Sequence, residues 1–138
     1  MTSDKAVNWD IISPDLTRQL LNEDEEKADI PGGPIQNDAT GVEVYSSIFA
    51  LEESPHNEGE IWVGSDDGLI HITRDGGKSW VNITPEKIIP YQGTINKIEL
   101  SSHEPGRAIV AVYNYRNNDF NPYIIAVSYT HLRAHETF

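Results

Sequence analysis

Few residues of this chain have types and spacings that could do chemistry. Glu43 and Tyr45 stand two apart in VEVYSSIFAL. On a strand their side chains share one face, and a tyrosine nucleophile with a glutamate partner is one solution to glycoside hydrolysis. Ser65, Asp66 and Asp67 bring oxygen ligands together in the way a hard cation requires. His131 and His135 stand four apart, the helical spacing of a metal-binding pair. Thr73, Asp75, Gly77, Ser79 and Trp80 fall within the eight residues TRDGGKSW. Each has a plainer reading. A packed tyrosine beside a solvated glutamate explains Glu43 and Tyr45. SDDG is a hairpin turn in which Gly68 takes positive φ. In TRDGGKSW the short acid accepts hydrogen bonds from its own turn. Gly76 and Gly77 open backbone angles closed to other residues. The Thr73 and Ser79 hydroxyls tie the strand ends to the loop, and Trp80 adds an apolar plate with one N–H to place. The plainer reading is preferred in every case, so no catalytic residue and no metal site is assigned.

Composition excludes further classes. There is no cysteine, which removes disulfides, thiolate metal sites and a cysteine nucleophile. A formal charge of −12 repels phosphate backbones, so no nucleic-acid partner is expected. No apolar run has the length of a membrane span, and MTSDKAVNWD lacks the basic-then-apolar pattern of a signal peptide. Before the last residues the arginines are Arg18, Arg74, Arg107 and Arg116. Arg74 sits inside TRDGGKSW and Arg107 follows a turn, so the arginine cluster that would clamp a substrate carboxylate is not evident. No cofactor is implied.

The elements that carry these residues read as short strands. VEVYSSIFAL, EIWVG, LIHIT and SWVNIT are rich in β-branched and aromatic residues and are joined by short polar turns. Connections this short force antiparallel pairing. The pattern then restarts with TINKIELSS, RAIVAVYNY and NPYII. At an offset of 47, Ile48 matches Ile95, Leu51 matches Ile98, Ser54 matches Ser101, His56 matches His103 and Gly59 matches Gly106. At an offset of 71, Thr2, Asp4 and Trp9 match Thr73, Asp75 and Trp80, so TSDKAVNWDIISP is a degenerate copy of TRDGGKSWVNITP. A four-stranded repeat of about 40 to 50 residues is the pattern of a β-propeller blade.

The expected fold is therefore all-β, a β-propeller fragment with four-stranded antiparallel blades: about one complete blade plus parts of two. Residues 1–14 hold the last strand and degenerate turn of a preceding blade. Residues 15–41 are an inter-blade insertion, whose Pro14 boundary could open a short helix through Leu21. Residues 42–85 are the complete blade with its turn at 73–80, and 86–125 a partial following blade. Blades bury their faces on one another, so the chain is expected to be a piece of a longer protein. In residues 126–138 no further copy of the turn appears. The run SYTHLRAHET resembles a translated sequencing-adaptor read-through, so this tail is set apart as non-native and its histidine pair is not read as a site.

TRDGGKSW resembles the Asp-box, or BNR repeat, through Thr73, Asp75, Gly77, Ser79 and Trp80. The order WDIISPDLT, GGPIQNDATG, IWVGSDDGLIHITRDGGKSWVNITP and NYRNNDFNPYI is similar to bacterial Asp-box propellers related to the sortilin (VPS10) N-terminal domain. That resemblance covers roughly residues 2 to 125. It implies a box on the outer rim of the ring, joining the third and fourth strands of a blade, with a structural role. It also implies an exported protein that binds a peptide, protein or glycan ligand and continues into further blades. The alternative it carries is an exo-sialidase-like glycoside hydrolase with most catalytic residues outside this segment; Glu43 and Tyr45 are then the best local cleft candidates.

Overall fold

A computed structural model of the protein describes residues 5–18 and 46–129. These residues form an all-β arrangement of two antiparallel sheets. The first sheet holds β1 (Ile48–Glu53), β2 (Ile61–Ser65), β3 (Ile70–Thr73) and β4 (Val81–Asn82), in chain order. The second holds β5 (Thr94–Leu100), β6 (Arg107–Asn114) and β7 (Asp119–Ser128), again in chain order. Both are meanders, as the short polar connections require. A single 3₁₀ turn, Tyr115–Asn117, sits in the β6–β7 connection.

The two sheets lie face to face. Trp62, Ile70 and Ile72 of the first sheet bury against Ile95, Ile98, Val110, Val112, Ile125 and Val127 of the second. Alternation along the strands sorts the faces: Trp62 points into this interface, while Ile61 and Val63 point the other way. Gly64 marks the closest approach. A Cβ there would stand 2.3 Å from Ile95 Cγ2, so only glycine lets β5 pack this near.

Part of the opposite face of the first sheet is covered by Ile12 and Leu16. Leu16 is buried on Ile61 and Val63, with Ile12 and Trp80 beside it. The short helix expected from Pro14 through Leu21 is not found over residues 14–18, which are irregular; residues 19–21 lie outside the described residues. Local and tertiary hydrogen bonds take the groups a helix would use. Asp15 Oδ1 accepts from the Thr17 N–H and hydroxyl, and Asp67 Oδ2 accepts from the Arg18 N–H at 2.8 Å.

The offset of 47 seen in the sequence recurs in hydrogen bonds. Each first strand has a register irregularity at the same place, between Ile48 and Ala50 and between Ile95 and Lys97. Ser54 Oγ accepts from the His56 and Asn57 N–H groups, and Ser101 Oγ from those of His103 and Glu104. Gly59 and Gly106 have φ of 81° and 82°. Their carbonyls accept from Gly76 and Tyr129. The third strands are displaced further, because the Tyr115–Asn117 turn makes the β6–β7 connection longer than SDDG. Strand β7 runs through Ser128, with Val127 and Tyr129 in the core, so it crosses the 125/126 boundary drawn from sequence.

The offset of 71 also has a backbone counterpart. Lys5 and Ala6 hold φ of 58° and 67°, where Gly76 and Gly77 hold 71° and 101°. The degenerate copy thus keeps the left-handed pair although it lacks the glycines, at a steric cost for Ala6.

Candidate functional site

Strand direction divides the motifs between two ends of the sheets. The β3–β4 turn, residues 74–80, lies at one end with the β1–β2 and β5–β6 connections. At the other end lie the β2–β3 turn, the β4–β5 connection and the β6–β7 loop.

The 73–80 turn is closed upon itself. Asp75 Oδ1 accepts from the Thr73 hydroxyl and the Ser79 N–H, both at 2.9 Å, and Oδ2 accepts from the Ser79 hydroxyl at 2.6 Å. Thr73 Oγ1 accepts from the Gly77 N–H at 2.9 Å. These bonds to Ser79 hold the exposed Asp75 carboxyl down to about 2. Trp80 donates its indole N–H to the Ile12 carbonyl at 2.9 Å. Gly77 meets the same carbonyl: a Cβ there would stand 2.5 Å from Ile12 O, with φ already at +101°. All five predicted residues are thus brought together, and their polar atoms bind one another or residue 12. Of the degenerate copy, Trp9 is exposed, while Thr2 and Asp4 lie outside the described residues. Glu43 and Tyr45 also lie outside them.

The opposite end gathers charged and aromatic groups from five segments. Asp66 is buried, accepting from the Ser47 N–H at 2.8 Å and the Ser47 hydroxyl at 3.1 Å, with Arg116 Nη1 at 3.9 Å. Burial raises its pKa, against the lowering effect of the Ser47 hydrogen bonds; adjacent Asp67 raises it further and Arg116 opposes. Asp67 accepts the Ser65 hydroxyl at 2.5 Å on Oδ1 and the Arg18 N–H on Oδ2. Arg18 Nε returns a bond to the Asp67 carbonyl at 2.8 Å, and the guanidinium lies over the Tyr91 ring at 4.9 Å. The Ser65, Asp66 and Asp67 oxygens therefore diverge to separate partners. They form a turn that knits three segments, not a cation cage, and no group of three metal-ligating residues occurs among the described residues.

Beside this network lies a ridge of rings. Tyr113 stacks on Tyr115 with centroids 4.8 Å apart, and Phe49 meets Tyr113 edge-on at 6.4 Å. Phe49 is half exposed. Burial raises the Tyr113 pKa, which keeps its hydroxyl neutral as a donor. A cleft of about 250 Å³ opens around Arg18, lined also by Gly68, Thr84, Glu86, Ile89 and Tyr91.

The arginines are split. Arg18 and Arg116 belong to this end, each facing an aspartate. Arg74 faces Glu60 and the Tyr129 ring at the turn end, and Arg107 pairs with Glu104. Among the described residues there is no cluster of three arginines for a carboxylate substrate. Sequence reasoning missed the grouping of Asp66, Arg116, Tyr113 and Tyr115. The meander topology could have placed the 66–69 and 114–118 segments at one end. Nothing in the sequence pairs Arg18 with Asp67 across 49 positions.

Comparison of the chain with protein-family models, with curated proteins and with solved structures finds no match.

Proposed function

We propose that this chain is part of an Asp-box β-propeller, similar to the sortilin-related kind, that works as a binding scaffold. Its ligand is a peptide, protein or glycan, met at the end of the sheets opposite the 73–80 turn. One observation carries this reading: the 73–80 turn spends its polar groups on itself, whereas the opposite end presents stacked aromatic rings beside an arginine. The 73–80 turn satisfies its carboxylate and hydroxyls internally. The other end sets Phe49, Tyr113 and Tyr115 beside Arg116, and a cleft opens around Arg18 at the same end. Aromatic faces with a few fixed polar groups suit recognition of sugars or peptide side chains. The four-strand meander and the repeated serine turns support the blade assignment.

The reading is tested by probing the protein on glycan and peptide arrays and, separately, on aryl glycosides and sialosides. Array binding without turnover is expected, weakened about tenfold or more by Tyr115→Ala. Turnover that disappears on replacing Asp66 would overturn the binding role in favour of a glycoside hydrolase.

A further inference from the structure

Whatever ligand the chain meets, we infer that the contact between residues 12–18 and the first sheet is a proton-sensitive clasp, with His71 as the group that takes the proton. His71 stands on β3, opposite Val63 of β2 on one side and Asn82 of β4 on the other. Residues opposite one another in a sheet share a face. His71 therefore lies on the face of Ile61 and Val63, where Leu16 is buried and Ile12 and Trp80 pack. Its ring is half-buried, and Nδ1 is buried with no hydrogen-bond partner among the described residues. A neutral imidazole leaves one polar atom unmet there. An imidazolium would bring a second N–H and a full charge into the same place.

The groups around the ring offer a proton little. Val63 and Asn82 carry no charge. The covering segment brings Arg18 and Asp15, with Asp10 just before it. Asp10 and Asp15 are exposed, and Asp15 is taken up by the Thr17 N–H and hydroxyl. Asp67, in the β2–β3 turn, is the charged group that favours protonation of His71. That carboxylate is already engaged, with the Ser65 hydroxyl on Oδ1 and the Arg18 N–H on Oδ2. The Arg18 guanidinium bonds the Asp67 carbonyl, lies over Tyr91 and stands 3.6 Å from Glu86. Burial outweighs Asp67, so the His71 pKa lies below its ordinary 6.5.

A histidine whose folded pKa is depressed favours the closed contact above pH 6.5, and that contribution is lost as pH falls below it. Lifting residues 12–18 returns the ring to water and to its ordinary pKa. Below pH 6.5 the open fraction then grows by up to about tenfold per pH unit, until the folded pKa is reached. Two anchors go with the segment: the Trp80 indole bond to the Ile12 carbonyl, and the Arg18 bonds to Asp67. Arg18 also lines the cleft of about 250 Å³, so the wall of that cleft changes as the proton binds. The 73–80 turn stays closed in mild acid, because its Asp75 is held ionised down to about 2.

The test is hydrogen exchange by NMR on the full 138-residue chain, read as protection factors corrected for the intrinsic pH dependence of exchange. From about pH 7.5 to about pH 5.5, protection of residues 12–18 and of the Trp80 indole N–H is expected to fall several-fold. Protection of β5, β6 and β7 should hold. His71→Gln places a neutral amide at the site and is expected to keep the segment protected across the same range. Titration of the His71 ring in the wild-type chain supplies a second measurement that needs no variant, with a midpoint below 6.5 expected. Protection that does not change with pH, a loss equally large in His71→Gln, a loss shared by β5 to β7, or a midpoint at or above 6.5 overturns the inference.

Discussion

Asp75 shows how a motif with catalytic composition can be occupied by its own backbone. Its carboxylate has three short donors, Thr73 and Ser79 twice, which hold it ionised to about pH 2. The folded pKa lies below the unfolded value of 3.8. Its contribution to stability is therefore present above 3.8 and is lost as pH falls toward about 2. Asp75→Ala is expected to lower Tm at neutral pH, and the gap from wild type should close between those two values. Thermal melts over that pH range check it; a gap independent of pH would refute the carboxylate's role. Under the proposed binding role the same substitution should leave ligand affinity per folded molecule nearly unchanged, since Asp75 lies at the opposite end from Arg116 and Tyr115. Trp80→Phe keeps most of the apolar plate but removes the bond to the Ile12 carbonyl. A loss of about 1 kcal/mol is expected, with faster amide exchange in residues 9–16 as the local readout.

The strands locate the interface that holds the two sheets together. Gly64 and Ile95 pack so closely that Gly64→Ala must push β5 away. Overpacking of this kind costs about 1–3 kcal/mol. Combining it with Ile95→Ala removes the 2.3 Å contact to Cγ2 but leaves the 2.7 Å contact to Cβ, so denaturant melts should show only partial recovery. Trp62 is fully buried, and its indole N–H donates to the buried Glu60 at 2.9 Å. Trp62→Ala should cost about 3–5 kcal/mol. Trp62→Phe should still destabilise, because it leaves Glu60 with one donor fewer in a buried place. The strand segments were legible as β-branched runs between Gly, Pro and Asp turns. Over residues 14–18 the helix expected after Pro14 does not form, because its start signal is local while the partners of 16–18 are Asp67, Ile61 and Val63, far along the chain.

Across the whole molecule, the sequence by itself determined the antiparallel meander and the two offsets. Residue types set turn positions, and turns this short leave one pairing direction. It also pointed to a self-bonded hairpin at TRDGGKSW, where Thr73, Asp75 and Ser79 do bond one another. Only the tertiary structure decided which faces meet. Alternation separates Trp62 from Ile61 and Val63 but does not say which set faces β5; the glycine at position 64 and the bulk of Ile95 settle that by shape. Likewise only the fold brought Arg18, Asp67, Asp66 and Arg116 to one end of the sheets. Such pairs are formed between surfaces that chain order leaves far apart, and no period in the sequence records them.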